Sequence, residues 1–310
     1  MATQSTVRKR SSRQSLDGGY FLFLVPGILI FLIFIFIPFI ANIVLSFTRW
    51  SGVGEIVWIG VANYQKAFTD AIFWASFRNN LLLIIAMTII PTIGGLVLAS
   101  FLFDYVAQKI GRRSANFFRA AFYLPQVIPI VIAAVVWRWL YQPEWGVINY
   151  ILTAIGLESL ASNWLGDAAT ALPAVMVVMI WFQLGYPLVI FMAGLQRIDP
   201  ELYEAASLDG ARWWHRFRHI TVPLLRPEIY VVVLTTTISA LKVFGPIYAM
   251  TSGGPGTATI VAAYFSYKNF FERAAVGYGA TIATLLTVLI LIITIFYVRV
   301  QIAQDAAENQ

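Results

Sequence analysis

The sequence predicts an all-α integral membrane protein with six membrane-spanning helices. Of its 310 residues, 59% are hydrophobic and only 12% are charged, whereas soluble domains carry about 25% charged residues. The mean hydropathy of +0.76 agrees with a membrane protein. Six windows are nearly free of charge and reach the roughly 20 residues that a bilayer requires. None of them alternates apolar and polar residues as a barrel strand does. This composition excludes a soluble enzyme and a disordered chain.

The predicted spans divide the chain into a short tail, a membrane domain and a second tail. The tails cover residues 1–19 and 301–310, and the membrane domain covers residues 20–300. The first span is too long for a cleaved signal peptide, so we expect it to be retained. Prolines within several spans predict kinked helices around a cavity, unless these prolines are merely tolerated as they often are in membranes. The six spans are predicted at residues 20–47, 79–103, 120–141, 170–195, 229–250 and 276–299.

Basic residues are unevenly distributed between the segments that join the spans. Fourteen lie in the N-terminal tail, the second and fourth loops and the C-terminal end, whereas five lie in the first and fifth loops. The third loop contains Glu144, Glu158 and Asp167 but no lysine or arginine. Because cytoplasmic segments collect lysine and arginine, both termini are predicted to be cytoplasmic. The same bias accounts for the net charge of +6 without any binding of nucleic acid.

The sequence lacks the usual signatures of covalent chemistry and of metal binding. It has no cysteine, and no lysine follows a glycine, so the phosphate-binding loop GxxxxGK[ST] is absent. His215 and His219 have the spacing of metal ligands on one helical face, but two arginines and no carboxylate lie between them. We therefore expect a basic cytoplasmic surface there. We also expect no catalytic residue, and neither a metal nor a cofactor bound by this chain.

The fourth loop, residues 196–228, has the pattern of two short helices joined by a glycine turn. Asp199 and Pro200 suit the start of a helix, and Gly210 suits the position after a helix end, where φ is positive. Small alanines between them would let the first helix enter a groove of a partner protein. A helix lying on the membrane surface fits these residues equally well.

The segment EAASLDGA, with the residues that follow it, resembles the EAA loop of ABC importer permeases. The later matches are Phe217, Ile220, Pro223, Leu224 and Leu225. The resemblance implies that the first short helix is a coupling helix, which docks in a cleft of a cytoplasmic ATPase. The residues that it assigns to this coupling contact are Tyr203, Glu204, Ala205, Ala206, Asp209, Gly210 and Ala211.

The resemblance extends over most of the chain. The segments ANYQKAF, FFRAAFYLPQVIPIVIAAVVWRWLY and KVFGPIYAMTSGGPGTAT are similar to carbohydrate-uptake permeases of the maltose/glycerol-3-phosphate type. The last segment resembles the first of the two non-identical permeases in such systems. The implied fold is a type I ABC importer transmembrane domain in a bacterial or archaeal plasma membrane. The implied partners are a second permease, two ATPases that bind ATP and magnesium, and an extracytoplasmic solute-binding protein.

The resemblance implies import of a carbohydrate, with a di- or oligosaccharide as the first choice. Glycerol 3-phosphate or a related phosphodiester is the alternative substrate. An ion-coupled secondary transporter is a distant alternative, because it would need carboxylates within the spans.

Two segments supply candidates for the substrate path. Pro187 interrupts a span beside Gln183 and can expose polar backbone to a cavity. Lys242 is an ionisable residue inside a span, which makes it a functional candidate. Helix packing for Gln183 and an interfacial position for Lys242 are the structural alternatives. Together with residues that the resemblance adds and with nearby aromatic rings, the candidates are Gln183, Gly185, Tyr186, Leu188, Lys242, Phe244 and Tyr248.

Overall fold

The computed structural model describes the backbone of residues 19–308 and the side chains of residues 23–107 and 109–303. The predicted basic tail lies outside the described residues, apart from Gly19. The chain divides into two compact units, Met1–Val44 and Leu45–Gln310.

The first unit holds most of one apolar helix. Gly19–Phe31 continues through a π-helical turn, Leu32–Phe36, into Ile37–Ser46. Residues 23–41 of this helix are all exposed. A helix that is apolar on every side and exposed on every side is suited to contact with lipid.

Among the described residues, four helices are long and apolar enough to cross a bilayer, or six if each of two bent pairs forms one span. The all-α, six-span prediction is therefore confirmed. We number the spans in chain order: span 1 (Phe23–Ser46), span 2 (Ala71–Val106), span 3 (Arg112–Val127 with Ile130–Leu140), span 4 (Ala168–Leu195), span 5 (Trp213–Leu224 with Arg226–Leu241) and span 6 (Val276–Ala303).

Irregular turns also occur in spans 2, 4 and 5. Span 2 has π-helical turns at Ile85–Ile89 and Leu102–Val106 and is followed by Ala107–Lys109. Span 4 consists of Ala168–Gln183 and Gly185–Leu195. The first arm of span 5 comprises Trp213–Arg216, the π-helical Phe217–Thr221 and Val222–Leu224.

Several predicted bounds differ from the observed helices. Span 2 begins eight residues before the predicted 79, because Asp70 caps it by accepting a hydrogen bond from the Ile72 amide at 2.8 Å. The helix of span 6 runs to Glu308, so most of the predicted C-terminal tail, 301–310, continues this helix.

Span 3 is not the continuous helix that was predicted at residues 120–141. Its two arms meet at 94°. The break falls at Ile128 and Pro129, where Ile128 has the extended conformation that a following proline imposes. Proline also lacks the amide hydrogen needed to continue the helix.

The predicted span at residues 229–250 is likewise interrupted. Its helix, Arg226–Leu241, ends one residue before Lys242, and a separate short helix, Gly245–Met250, follows. Asn80 of span 2 stabilises this end, because its side-chain amide donates to the carbonyls of Ala240 and Leu241 at 3.0 and 3.2 Å. Its carbonyl accepts from the Ala262 amide at 2.9 Å. The buried asparagine thus satisfies backbone groups that a continuous helix would have paired.

Span 4 is in close backbone contact with span 2 and with span 3. A Cβ atom at Gly95 of span 2 would lie 2.8 Å from Pro187 Cβ of span 4. A Cβ atom at Gly185 would collide with the Phe122 carbonyl of span 3. Glycine is needed at these contacts, and the contacts set the positions of the residues described below.

The remaining elements are short. A two-residue antiparallel ladder, Thr48–Arg49 with Val57–Trp58, places Thr48 opposite Trp58. This ladder was not predicted from the sequence. The other short elements are the helices Ala62–Thr69, Val147–Ala154, Pro200–Leu208 and Ala262–Tyr267, the 3-10 turn Glu158–Leu160 and the π-helical turn Lys268–Glu272.

Candidate substrate cavity and coupling loop

A cavity of about 770 Å³ lies between spans 2, 3, 4 and 5. The break in span 3 and the non-helical residues that follow the span 5 helix both border it, and non-helical backbone at membrane depth is tolerated where it lines such a space. We call this space the central cavity. Its lining residues are Met87, Gln126, Val127, Ile128, Pro129, Ile130, Met179, Phe182, Gln183, Tyr186, Thr235, Thr236, Ser239, Lys242, Val243, Phe244, Gly245 and Pro246.

Polar side chains from spans 3, 4 and 5 are joined along the cavity wall. Gln126 Nε2 donates to the Phe182 carbonyl at 3.0 Å and to Gln183 Oε1 at 3.5 Å. The Tyr186 hydroxyl shares a hydrogen bond of 3.1 Å with Thr235 Oγ1. These contacts orient amide and hydroxyl groups at the cavity, where they can exchange hydrogen bonds with a polar ligand.

Lys242 supplies the cationic side chain of the cavity lining. It lies directly after the last residue of the span 5 helix, Leu241, and its side chain is exposed. A positive charge at a helix C-terminus is favoured by the helix dipole. The lining contains no aspartate or glutamate among the described residues, so the cavity as these residues form it carries a net positive charge.

Four of the seven predicted substrate-path residues line the central cavity, and three do not. Gln183, Tyr186, Lys242 and Phe244 belong to the lining. Leu188 is fully buried in a packing cluster formed by residues of spans 2, 3, 4 and 5, so it has no access to the cavity in this conformation.

The other two residues are excluded from the lining for different reasons. Gly185 packs against the backbone of span 3, so it does not line the cavity. Tyr248 stacks on Phe244, with ring centroids 5.6 Å apart. Its side chain is 47% exposed but does not belong to the cavity lining.

Sequence reasoning missed several polar residues of the lining. Gln126, Thr235, Thr236 and Ser239 all contribute to the cavity. The signal for three of them was present in the segment TTTISALK of span 5, where residues four positions apart share one helical face. Gln126 gave a weaker signal, because only the break at Pro129 brings it to the cavity wall.

The helix Pro200–Leu208, which we call the loop helix, has the ends that the sequence predicted. Asp199 Oδ1 accepts a hydrogen bond from the Glu201 amide at 3.0 Å. At the other end Gly210 has φ +79°. The Ala211 amide donates to the Ala206 carbonyl at 2.9 Å, and the Gly210 amide donates to the Ser207 carbonyl at 3.1 Å. This pair of bonds forms a Schellman motif, which ends the helix at Gly210.

One face of the loop helix is attached to the protein and the rest is exposed. The Tyr203 hydroxyl shares a hydrogen bond of 2.9 Å with Thr221 Oγ1, and burial raises the pKa of this hydroxyl above its usual value. Glu204 and Ala205 are exposed, and Leu208 is 90% exposed. Most of the loop helix is therefore accessible to solvent.

The two histidines do not form a metal site with other ligands in the part of the chain that the structure describes. Their rings stack with centroids 6.3 Å apart, and His219 Nδ1 lies 3.0 Å from the His215 carbonyl. No group of three or more histidine, cysteine, aspartate or glutamate side chains that could hold a metal ion occurs among the described residues.

Comparison with known proteins decides the family. Residues 105–304 match the family described as "Binding-protein-dependent transport system inner membrane component". The chain belongs to this family. It is therefore a multi-pass membrane permease of an ABC transporter, as the EAA-like loop indicated, and acts as a component of a membrane pore.

Two relatives match nearly the full length of the chain. It is 39% identical to the "Probable ABC transporter permease protein YurN" of Bacillus subtilis (strain 168), over 90% of this chain and 94% of the relative. It is 32% identical to the "Trehalose/maltose transport system permease protein MalF" of Thermococcus litoralis, over 91% of this chain and 92% of the relative. Related carbohydrate systems therefore lie within the same permease family.

Solved structures support the same fold. A chain of a bacterial ABC transporter involved in the import of the acidic polysaccharide alginate matches with a TM-score of 0.79 and 25% sequence identity. The match covers 92% of this chain and 95% of that chain. A second structure of a bacterial alginate ABC transporter, in complex with a periplasmic protein that holds an alginate pentasaccharide, matches with a TM-score of 0.77 and 25% identity. It covers 91% of this chain and 93% of that chain.

Proposed function

We propose that this permease forms one half of a heterodimeric pore that imports a di- or oligosaccharide. The observation that carries the proposal is the central cavity, where amide and hydroxyl groups of Gln126, Gln183, Thr235 and Ser239 surround a space of about 770 Å³. This volume lies within the range of small-ligand sites, about 300–1,000 Å³. Sugar hydroxyls exchange hydrogen bonds with such groups. The names of the trehalose/maltose and alginate systems support a carbohydrate as the substrate class.

Glycerol 3-phosphate or a related phosphodiester is the second candidate substrate. The observation in its favour is Lys242, a cation in a lining that contains no carboxylate. A phosphate group is normally held by several charged or backbone donors, and the lining supplies one such charge. The larger number of neutral polar groups therefore favours the sugar.

Energy for transport comes, in this proposal, from two partner ATPases that bind ATP and magnesium. The chain itself contains no phosphate-binding loop. The exposed loop helix docks in a cleft of one ATPase and transmits its movement to the pore, which changes between inward-facing and outward-facing states. An extracytoplasmic solute-binding protein delivers the sugar, and a second, non-identical permease completes the pore. This chain binds no cofactor and catalyses no reaction.

The orientation follows from the distribution of basic residues. We place residues 20–300 as the permease domain in a bacterial or archaeal plasma membrane, with the tails 1–19 and 301–310 in the cytoplasm. The loop helix then lies on the cytoplasmic side, where ATP is available. A secondary transporter would need an ionisable carboxylate at its coupling site, and the central cavity offers none in its lining.

Uptake by the purified assembly tests the proposal. The tagged chain is purified from its native membrane, its co-purifying subunits are identified, and the complex is reconstituted in vesicles. Radiolabelled maltose or trehalose should enter only with ATP and the solute-binding protein, and excess glycerol 3-phosphate should not compete. Competition by glycerol 3-phosphate would select the second candidate. Uptake driven by an ion gradient without ATP would refute the ABC mechanism.

A further inference from the structure

A cluster of charged and polar side chains lies where the cytoplasmic end of span 2 meets the segment after the loop helix. Asp104 lies in the last turn of span 2 and accepts a hydrogen bond from Ser100 Oγ, one turn earlier in the same helix, at 3.1 Å. Arg216 lies in the first arm of span 5. Its guanidinium and the Asp104 carboxylate attract each other electrostatically, but the two described side chains do not reach ion-pair distance in this conformation.

Arg216 is already attached to the loop helix. Its Nη1 atom donates to Ser207 Oγ at 2.6 Å, and Ser207 Oγ donates to the Tyr203 carbonyl at 2.6 Å. The Arg216 side chain therefore extends from span 5 to the last turn of the loop helix. Any displacement of that helix acts directly on the guanidinium.

One donor of the same guanidinium is unsatisfied. Arg216 Nε is buried and has no hydrogen-bond partner within the described residues. The indole Nε1 of Trp213, one turn earlier, is buried near the same carboxylate and has no hydrogen-bond partner within the described residues. Buried donors without acceptors are rare in native proteins. Here both donors lie near the Asp104 carboxylate, which accepts a hydrogen bond from Ser100 on its own helix.

We propose that Arg216 is a positioning residue that connects the loop helix to Asp104 of span 2. The inference rests on the proposed coupling role of the loop helix. When the docked ATPase shifts that helix, the guanidinium closes on the Asp104 carboxylate while it keeps Ser207, and span 2 follows. An arginine is suited to this task because its planar fork can hold two acceptors at once, whereas lysine offers a single point charge.

Substitutions of both partners in the assembled transporter test the connection. The readout is the ratio of ATP hydrolysis with and without the loaded solute-binding protein. Arg216→Gln and Asp104→Asn should each lower this ratio about tenfold. The ratio in the double variant should be no lower than in the more impaired single variant, because contacting residues act non-additively. Arg216→Lys should keep part of the response. The exposed Arg218→Gln, two residues further along, is the matched control and should respond like the unmodified protein.

The amount of ATPase that co-purifies separates this inference from the proposed docking role. It should be unchanged in Arg216→Gln, since Arg216 is not the docking surface. Loss of the ATPase, a full response in Arg216→Gln, or additive effects in the double variant would each overturn the connection while leaving the docking role of the loop helix intact. If Asp104→Asn does not insert, Ser207→Ala on the exposed loop helix replaces it in the same cycle. A normal response of Ser207→Ala, or effects that simply add to those of Arg216→Gln, would likewise overturn the connection.

Discussion

Arg197 and Glu228 form an ion pair that joins the two ends of the fourth loop. Arg197 follows the end of span 4, and Glu228 lies in the first turn of the long helix of span 5. The Arg197 side chain is 72% exposed, whereas that of Glu228 is 10% exposed. The pair therefore closes the base of the segment that carries the loop helix, with one partner in solvent and the other buried.

This difference in burial predicts unequal effects of removing the two partners. Arg197→Gln leaves a buried carboxylate without its counter-charge, which should destabilise the permease by about 1–3 kcal/mol. Glu228→Gln leaves an arginine that water can solvate, so its effect should be smaller. Thermal unfolding of the purified complex in detergent measures both. The exposed Glu201→Gln on the loop helix is the control. Equal destabilisation by the two variants would contradict the role assigned to burial.

Thiol labelling distinguishes cavity residues from packing residues. The chain has no cysteine, so single cysteines can be introduced without background. Gln183→Cys, Tyr186→Cys and Lys242→Cys should react with a polar thiol reagent in at least one state of the transport cycle, because the three positions line the central cavity. Leu188→Cys should remain protected, because Leu188 is fully buried between spans. Protection of all four in both ATP-bound and ATP-free states would show that the cavity is closed to water.

The sequence was sufficient to predict the elements whose causes are local. The loop helix begins at Asp199 and ends before Gly210 as expected, since a capping side chain and a positive φ depend on neighbouring residues alone. The spans could be predicted for a similar reason. Hydrocarbon excludes charge wherever a helix lies, so a long uncharged stretch is enough to indicate a span.

The features that the sequence did not predict depend on contacts between distant segments. The end of the span 5 helix at Leu241 is stabilised by Asn80, which is separated from it by more than 150 residues. The resemblance implies that Leu188 lies on the substrate path, yet Leu188 is buried in a packing cluster that includes residues of span 2. A helical pattern shows which residues share a face, but it does not show which neighbour packs on that face.

The orientation of the chain is a prediction from the fourteen basic residues on one side and five on the other. A reporter that is active only in the cytoplasm, fused after Gln310, should be active. A reporter that is active only outside should work when inserted at Gly156, an exposed glycine in the loop between spans 3 and 4. Activity of the opposite reporter at both sites would place the loop helix outside the cell and remove its access to ATP.

The coupling role is tested most directly at the end and on the exposed face of the loop helix. Gly210 has φ +79°, and a Cβ atom added there would have no neighbour within 4 Å. Gly210→Val therefore meets no clash, and its strain of about 1–2 kcal/mol comes from the backbone conformation alone. Ala205 is exposed, so Ala205→Trp leaves the packing of the permease intact and blocks only what docks on it. Both variants should insert normally and lose transport, and the ATPase should detach or stop responding to the loaded solute-binding protein. Glu158→Ala, exposed in the third loop, should retain ATPase attachment as the matched control. Full transport and full ATPase attachment in both loop variants would show that the loop helix is an ordinary surface helix.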